Sequence, residues 1–555
     1  MAFSISRLRQ LFILMSIGLL AICGRLFFLQ IIETDKLSLS ALESRIVEAP
    51  AHSLRGDILD RSGLPLTGTV GQSYLFVFPE QLEQPRRIAD QLAAQGIVNE
   101  ELMLALTTAK RPFRWRQAID PQTAERINAA AIPGIIAVAD KKRYSPGGLA
   151  AHVIGYINAA DNRGVSGLEA TYNTVLQGGQ TASVAAMVDA AQRIIPGLGY
   201  KRIYNEGGQQ AGSVVLTIDK RLQAVVEAVM DQAVSKGAVV IVDPASGEIL
   251  AMASRPNFDA DHLEQYLEND SAPLLNRAIM NYQPGSVFKL AVAAAVLEEK
   301  LARPDDQFFD AGYIDVNSIR FRGWDYDKGS RGRVSLTEAM AYSSNPVFIE
   351  LGLKLGADKL ITYARSFGFG RLSGSGLPGE AAGFLPSADA VFAADLANLS
   401  IGQGLLEASP LQIVTLVAAI ANGGVWRQPV LVSRVINPDG SVTVVPQNQP
   451  PRQVMSPVVA AQLREMMKAV TAYGTGAAAQ LDRFGAAGKT GSAETGRLSQ
   501  GKSINHAWFA GFAPADKPQL AAVVFIEEGM SGGDIAAPLF REIMEQILQQ
   551  EKPRR

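Results

Sequence analysis

Three short stretches carry side chains able to do nucleophilic chemistry. The first is Pro284-Gly285-Ser286-Val287-Phe288-Lys289-Leu290, followed by a small and apolar run at 291–297 that reads as a buried helix. A serine and a lysine three positions apart on a helix lie on one face, about one turn apart. Serine is a poor nucleophile until a base removes its proton. Lysine becomes such a base when burial and a neighbouring cation lower its pKa. The helix N-terminus adds a positive end where an oxyanion would form. A capping serine followed by a surface lysine is the plainer reading of the same residues, and Ser-x-x-Lys alone does not separate the two.

The second stretch is Ser343-Ser344-Asn345-Pro346, between helical patterns at 336–342 and 347–355. A loop there can present a hydroxyl and an amide to a cleft. The plain alternative is a capping serine with Pro346 in the first helical turn. The third is Gly488-Lys489-Thr490-Gly491-Ser492-Ala493-Glu494. Its Gly-Lys-Thr invites a phosphate-loop reading, but Arg483 stands where that loop needs glycine. The small residues suit an edge strand along which a substrate backbone can lie.

These stretches need a scaffold, and the chain supplies one after Gly212. Residues 213–219 read as a strand ending in a capping Asp219, and 220–235 as an amphipathic helix. Residues 237–242 and 249–253 flank Asp243-Pro244-Ala245-Ser246-Gly247-Glu248, which is a hairpin with turn residues in place. A last helix is expected at 535–550, with no accessory repeats after it. Before Gly212, residues 70–210 mix an apolar run at 73–78, helical patches at 85–95 and 120–131, and breaks at Gly147-Gly148 and Gly207-Gly208. No catalytic cluster occurs there, so this is an α+β module with a mechanical or docking role. Within Arg55-Gly56-Asp57-Ile58-Leu59-Asp60-Arg61-Ser62-Gly63, residues 60–63 form a turn, and Gly56 permits close backbone approach. Charge this dense reads as a solvated hairpin in preference to a salt-bridge cluster at a domain junction.

Residues 11–32 are almost continuously apolar, with Arg7 and Arg9 before them and Glu33 and Asp35 after. This length spans a bilayer if Arg25 snorkels to an interface. The preceding arginines put the N-terminus in the cytoplasm and the remainder outside. A cleaved signal peptide is the rival, but the run is long and no Ala-x-Ala site closes it; Ser38-Leu39-Ser40 lies beyond the charges. At 555 residues two or three domains are expected, and a net charge of −2 gives no basic field for nucleic acid. The single cysteine, Cys23, excludes an intramolecular disulfide, and four scattered histidines make a zinc site improbable.

The order Ser-x-x-Lys, Ser-x-Asn, Lys-Thr-Gly is more specific than any member alone, and it resembles the serine penicillin-recognising enzymes. The anchor, the segment from Arg55 to Gly63, the hairpin at 243–248, Leu377-Pro378-Gly379-Glu380, Ser400-Ile401-Gly402-Gln403-Gly404, Ala421-Asn422-Gly423-Gly424 and Trp508-Phe509-Ala510-Gly511-Phe512 are similar to a class B, monofunctional penicillin-binding protein. Nothing between Ile32 and Gly212 resembles the glycosyltransferase of the bifunctional class. The resemblance implies an α/β multi-domain chain: cytoplasmic 1–10, transmembrane anchor 11–32, dimerisation-type pedestal 33–211, and transpeptidase domain 212–555, an antiparallel sheet packed with helices.

The implied activity is peptidoglycan D,D-transpeptidation through a serine acyl-enzyme, with release of D-Ala and acylation by β-lactams. A membrane-anchored β-lactamase and a non-catalytic penicillin-binding scaffold or sensor are the alternatives. The resemblance makes Ser286 the nucleophile, Lys289 its base, Ser343 a proton relay, Asn345 an amide ligand and Lys489 the second cation. Thr490, Gly491 and Ser492 bind substrate, and the N–H groups of Ser286 and Ser492 form the oxyanion hole. The family often has threonine at the position of Ser492; serine keeps both the hydroxyl and the backbone donor. No cofactor or metal is implied. The implied partners are stem peptides, β-lactams, the membrane and a polytopic glycan polymerase of the shape-elongation-division-sporulation family.

Overall fold

The computed structural model describes residues 5–550 except 35, 38–45, 69, 83, 98–99, 145–146, 159–161, 190–192, 196–198, 205–209, 448 and 500–501. Asp35, Ser38-Leu39-Ser40 and Gly207-Gly208 therefore lie outside the described residues. The chain folds as two compact units. The smaller comprises Met1–Leu54, Gly71–Lys141 and Gly179–Gln209; the larger comprises Arg55–Val70, Lys142–Gly178 and Gln210–Arg555. Two segments that the sequence groups with the 33–211 module, Arg55–Val70 and Lys142–Gly178, thus fold with the larger unit.

In the smaller unit, Ile5–Phe27 is an α-helix that continues through a wider turn at Phe28–Ile32. Together they form one helix of 28 residues, long and apolar enough to cross a membrane. The strand Val70–Val77 lies between Phe113–Ile119 and Ile135–Lys142. The helices Pro85–Ala94, Glu100–Thr108 and Pro121–Ala129 bury Ile88, Leu92, Leu102, Leu106 and Ile127 in one core with Leu75 and Val77. Two of these helices are those expected at 85–95 and 120–131. Asp120 caps the last of them, accepting from Thr123 N at 2.9 Å.

The larger unit is organised on a five-stranded antiparallel sheet in the order Ile249–Arg255, Gly237–Val242, Leu520–Ile526, Lys502–Ala513, Ala487–Ser499. Three of its strands, Ile249–Arg255, Gly237–Val242 and Leu520–Ile526, are buried at every position because both faces are covered. Alternate residues go to opposite cores. Val240, Val242, Met252, Val523 and Phe525 join the helices Lys289–Glu298 and Pro410–Ala421. Val239, Ile241, Ala251 and Val524 join Lys220–Ala233 and Ala537–Gln550. Pro410–Ala421 is buried along its whole length and carries a capping box between Ser409 and Gln412. The hairpin turns where expected, with Gly247 at φ +81° and its N–H donating to Asp243 O at 2.8 Å.

The segment from Arg55 to Gly63 is not a solvated hairpin, and that expectation is corrected. Arg55 is buried and donates from Nε to Glu169 Oε2 at 2.5 Å and from Nη1 to Asn173 Oδ1 at 3.0 Å. Arg143 donates to the other Glu169 oxygen at 2.7 Å and to Gly56 O at 2.8 Å. A Cβ on Gly56 would lie 1.6 Å from Gly212 O, so only glycine fits. The carboxylate neutralises two guanidiniums away from water. Glu169→Gln removes that charge while keeping the shape, and is expected to destabilise the protein by about 3–5 kcal/mol. Urea unfolding of the variant beside the wild type measures this; an unchanged midpoint would show that the cluster is not held by charge.

Candidate active site

The turn bearing Ser286 is built by two glycines. Gly285 has φ +55°, and a Cβ there would lie 3.0 Å from Ser492 O. Gly402 has φ +74°, and its Cβ would sit 2.0 Å from Gly285 O, whereas the Gly285 N–H donates to Gly402 O at 2.9 Å. The chain is thereby wedged between the edge strand and the loop at 402. Gly285–Phe288 is a 3-10 turn, and the α-helix begins only at Lys289. This refines the expected geometry: in a 3-10 turn residues i and i+3 are eclipsed. Ser286 is half-buried and Lys289 fully buried.

Lys289 Nζ has three acceptors: Ser343 O at 2.8 Å, Ser343 Oγ at 3.2 Å and Asn345 Oδ1 at 2.7 Å. This one amine therefore ties the first stretch to two residues of the second. The presenting geometry comes from back-to-back helix ends. Leu336–Ala341 closes with Ser343 N donating to Met340 O and Ser344 N to Ala339 O, at 3.2 and 2.8 Å. That closure puts Ser343 at φ +59°, where glycine is usual. Ser344 then caps Asn345–Leu355 by accepting from Val347 N at 3.4 Å, and Pro346 occupies the first turn. The capping reading thus holds for Ser344, while Ser343 and Asn345 face Lys289. Asn345 Nδ2 donates to Arg322 O at 3.0 Å, which fixes which end of the amide meets the lysine.

Ser343 is held in a strained backbone conformation by its surroundings. Ser343→Gly is expected to be about 1 kcal/mol more stable than Ser343→Ala, because both lose the hydroxyl and only glycine relieves the left-handed strain. Thermal melts of the two variants compare them directly; equal stability would mean the backbone relaxes freely.

Lys489, Thr490, Gly491 and Ser492 lie on Ala487–Ser499, at the edge of the sheet. Lys489 is fully buried and its Nζ donates to Thr490 O at 3.0 Å. Thr490 Oγ1 is 2.6 Å from Thr475 Oγ1. A Cβ on Gly491 would lie 2.9 Å from Pro284 O and 3.2 Å from Val287 Cγ1, so Gly491 lets the serine turn close on the strand. Ser492 Oγ accepts from Gly532 N at 3.2 Å. The Ser492 carbonyl faces Gly285. A strand residue's N–H and C=O leave the same edge, so its N–H also faces the serine turn.

The two lysines face one electrostatic problem. Burial, and then the Lys489 charge, hold Lys289 well below the usual lysine pKa, against opposing pulls from Asp310 and Asp325. Burial alone brings Lys489 down to about 7. The sequence did not single out Asp310, Asp325, Thr475 or Arg322, because their links to the site are spatial. Gly402 was visible within its motif, but its packing on Gly285 was not. Trp508 Nε1 donates to Gln283 O at 3.1 Å, so this aromatic run braces the approach to the serine turn.

Comparison with known proteins fits this geometry. Residues 237–545 match the family profile described as the penicillin binding protein transpeptidase domain, and residues 50–202 that of the penicillin-binding protein dimerisation domain. Stage V sporulation protein D of Bacillus subtilis is 34% identical over 99% of this chain and 87% of its own length. Peptidoglycan D,D-transpeptidase FtsI of Escherichia coli is 28% identical over 96% of this chain and 90% of its own. A crystal structure of penicillin binding protein 3 from Mycobacterium tuberculosis, complexed with aztreonam, superposes with a TM-score of 0.66 at 27% identity, covering 91% of this chain and 97% of that one. With the serine, the two buried lysines and the edge strand gathered in one unit, the chain belongs to the penicillin-binding protein transpeptidases, in their class B, monofunctional form.

Proposed function

We propose that the protein is a peptidoglycan D,D-transpeptidase that cross-links stem peptides ending in D-Ala-D-Ala. The observation that carries this reading is Lys289, fully buried, hydrogen-bonded to Ser343 and Asn345, and low in pKa beside Lys489. Neutral Lys289 takes the proton of Ser286 Oγ as that oxygen attacks the penultimate D-Ala carbonyl. The C–O bond forms, and the oxyanion is met by the N–H groups of Ser286 and Ser492. Ser343 passes its proton to the departing amine and receives the Ser286 proton from Lys289, as the C–N bond breaks and D-Ala leaves. An amine from a neighbouring stem then attacks the acyl carbonyl; the new C–N bond forms as the ester C–O bond to Ser286 breaks, and the amine's proton passes to Ser286 Oγ. Lys489, Thr490 and Ser492 hold the terminal carboxylate, and Asn345 holds a stem amide. β-Lactams, which mimic the dipeptide, acylate Ser286.

The N-terminal helix is the single-pass anchor, with the N-terminus in the cytoplasm and the catalytic unit outside. Arg7 and Arg9 before the span support that orientation. The 33–211 module, apart from Arg55–Val70 and Lys142–Gly178, is the pedestal, and with the anchor it is the part that engages a polytopic glycan polymerase of the shape-elongation-division-sporulation family. The match of residues 50–202 to a dimerisation domain supports a docking role there. The test is incubation of the full-length protein with benzylpenicillin followed by peptide mass mapping. A stable adduct on the peptide containing Ser286 is expected. Rapid release of the adduct would favour a β-lactamase, and no adduct at all a non-catalytic scaffold.

A further inference from the structure

We infer that the outer face of the hairpin Tyr313–Val316 and Ile319–Arg322, with Trp324 and Lys328, docks the anionic glycopeptide strand that leads into the catalytic cleft. This rests on the transpeptidase reading. The two strands pair in register, Tyr313 with Arg322 and Asp315 with Arg320. Alternation divides their residues. Ile314, Val316 and Phe321 turn inward onto Ile349 and Ala397, whereas Tyr313, Asp315, Arg320 and Arg322 take the other face.

That face is a ladder of rings and cations. The Arg320 guanidinium lies 4.1 Å from the Tyr313 ring centre, Tyr313 meets Tyr326 edge-on at 6.1 Å, and Arg322 lies 4.8 Å from Tyr326. Lys328 Nζ sits 5.2 Å from the Trp324 ring, and that tryptophan is 56% exposed. The acids of the segment are largely spent inside it. Asp315 accepts two bonds from Arg320, each 2.8 Å, and Asp325 accepts from Arg331 at 2.8 Å. Among the described residues, Arg322 and Lys328 have no carboxylate partner, against one free acid, Asp327. An exposed indole, stacked rings and uncancelled cations together suit a polymer carrying sugar faces and carboxylates.

The segment is tied by hydrogen bonds to residues beside the catalytic groups. Arg322 O holds Asn345, and Trp324 Nε1 donates at 3.0 Å to Tyr342 O, next to Ser343. A strand lying on this face therefore delivers its stem peptide beside Asn345. The occupant is uncross-linked peptidoglycan, in which each repeat bears stem carboxylates.

The full-length Tyr313→Ala/Lys328→Ala variant removes one ring and one cation from this face, and neither residue is hydrogen-bonded to Lys289, Ser343, Asn345 or Lys489. Binding to purified uncross-linked glycan strands is expected to weaken about tenfold and to lose part of its salt dependence. The rate of acylation by benzylpenicillin is expected to match the wild type. Strand binding equal to wild type would overturn the proposal. So would a parallel loss of penicillin acylation, which would make the hairpin a support for the catalytic groups. A wild-type protein that binds strands but does not react with benzylpenicillin would overturn the transpeptidase reading itself.

Discussion

Ser286→Ala and Lys289→Arg are each expected to lower the second-order rate of acylation by benzylpenicillin by about 10³-fold or more, for different reasons. Alanine removes the atom that forms the bond. Arginine keeps a cation of comparable length, but guanidinium does not deprotonate in a protein, so the serine proton has nowhere to go. The site geometry adds a second penalty. Lys289 Nζ fits three acceptors within 3.2 Å of a single nitrogen, and a planar fork cannot reproduce that arrangement. A purely structural role for Lys289 predicts the opposite: arginine, which retains the charge, would restore part of the activity. Stopped-flow acylation of both variants, with circular dichroism to verify folding, distinguishes the outcomes. Labelling that persists in Ser286→Ala would remove Ser286 as nucleophile.

The parts of the fold legible in the sequence are those fixed by local pattern. The hairpin around residues 243–248 declares itself through turn residues between apolar runs, and Asp219 through its position before an amphipathic helix. The edge strand is legible from small residues at Gly491 and Ala493, since bulkier ones would collide with the serine turn. What could not be read depends on distant partners. Arg55 reads as a solvated charge until Glu169, 114 positions away, is placed against it. The same separation explains why Arg55–Val70 and Lys142–Gly178 fold with the larger unit. At the site, the order of motifs named Ser286, Ser343 and Lys489, but not how they meet. The 3-10 turn at Gly285–Phe288 arises from packing on Gly402, and the left-handed Ser343 from the closure of one helix directly onto the start of the next. Neither has a local sequence signature, because serine is a poor predictor of positive φ.

Lys489→Met is expected to lower acylation by about 10²–10³-fold and to move its pH profile in a definite direction. In the proposed mechanism, activity requires Lys289 neutral and Lys489 charged. The rate therefore rises with pH as Lys289 loses its proton and falls as Lys489 loses its own, near its value of about 7. The two limbs belong to the coupled pair. Burial is the larger cause of the low Lys289 pKa, and the Lys489 charge is the second. Methionine leaves the burial nearly intact and removes the charge. The protonated form of Lys289 then becomes easier to hold, its pKa rises, and the neutral base appears only at higher pH. The acid limb should shift upward and the alkaline limb near 7 should vanish. A cation that served only to hold the substrate carboxylate would behave differently: its removal would lower the rate and leave the acid limb in place. Acylation rates across pH with an uncharged penicillin ester separate the cases, because the ester offers Lys489 no carboxylate. If the acid limb stays fixed for that ester, Lys489 does not tune the base. If it moves, the two buried lysines act as one device, in which the second cation keeps the first ready to accept the serine proton.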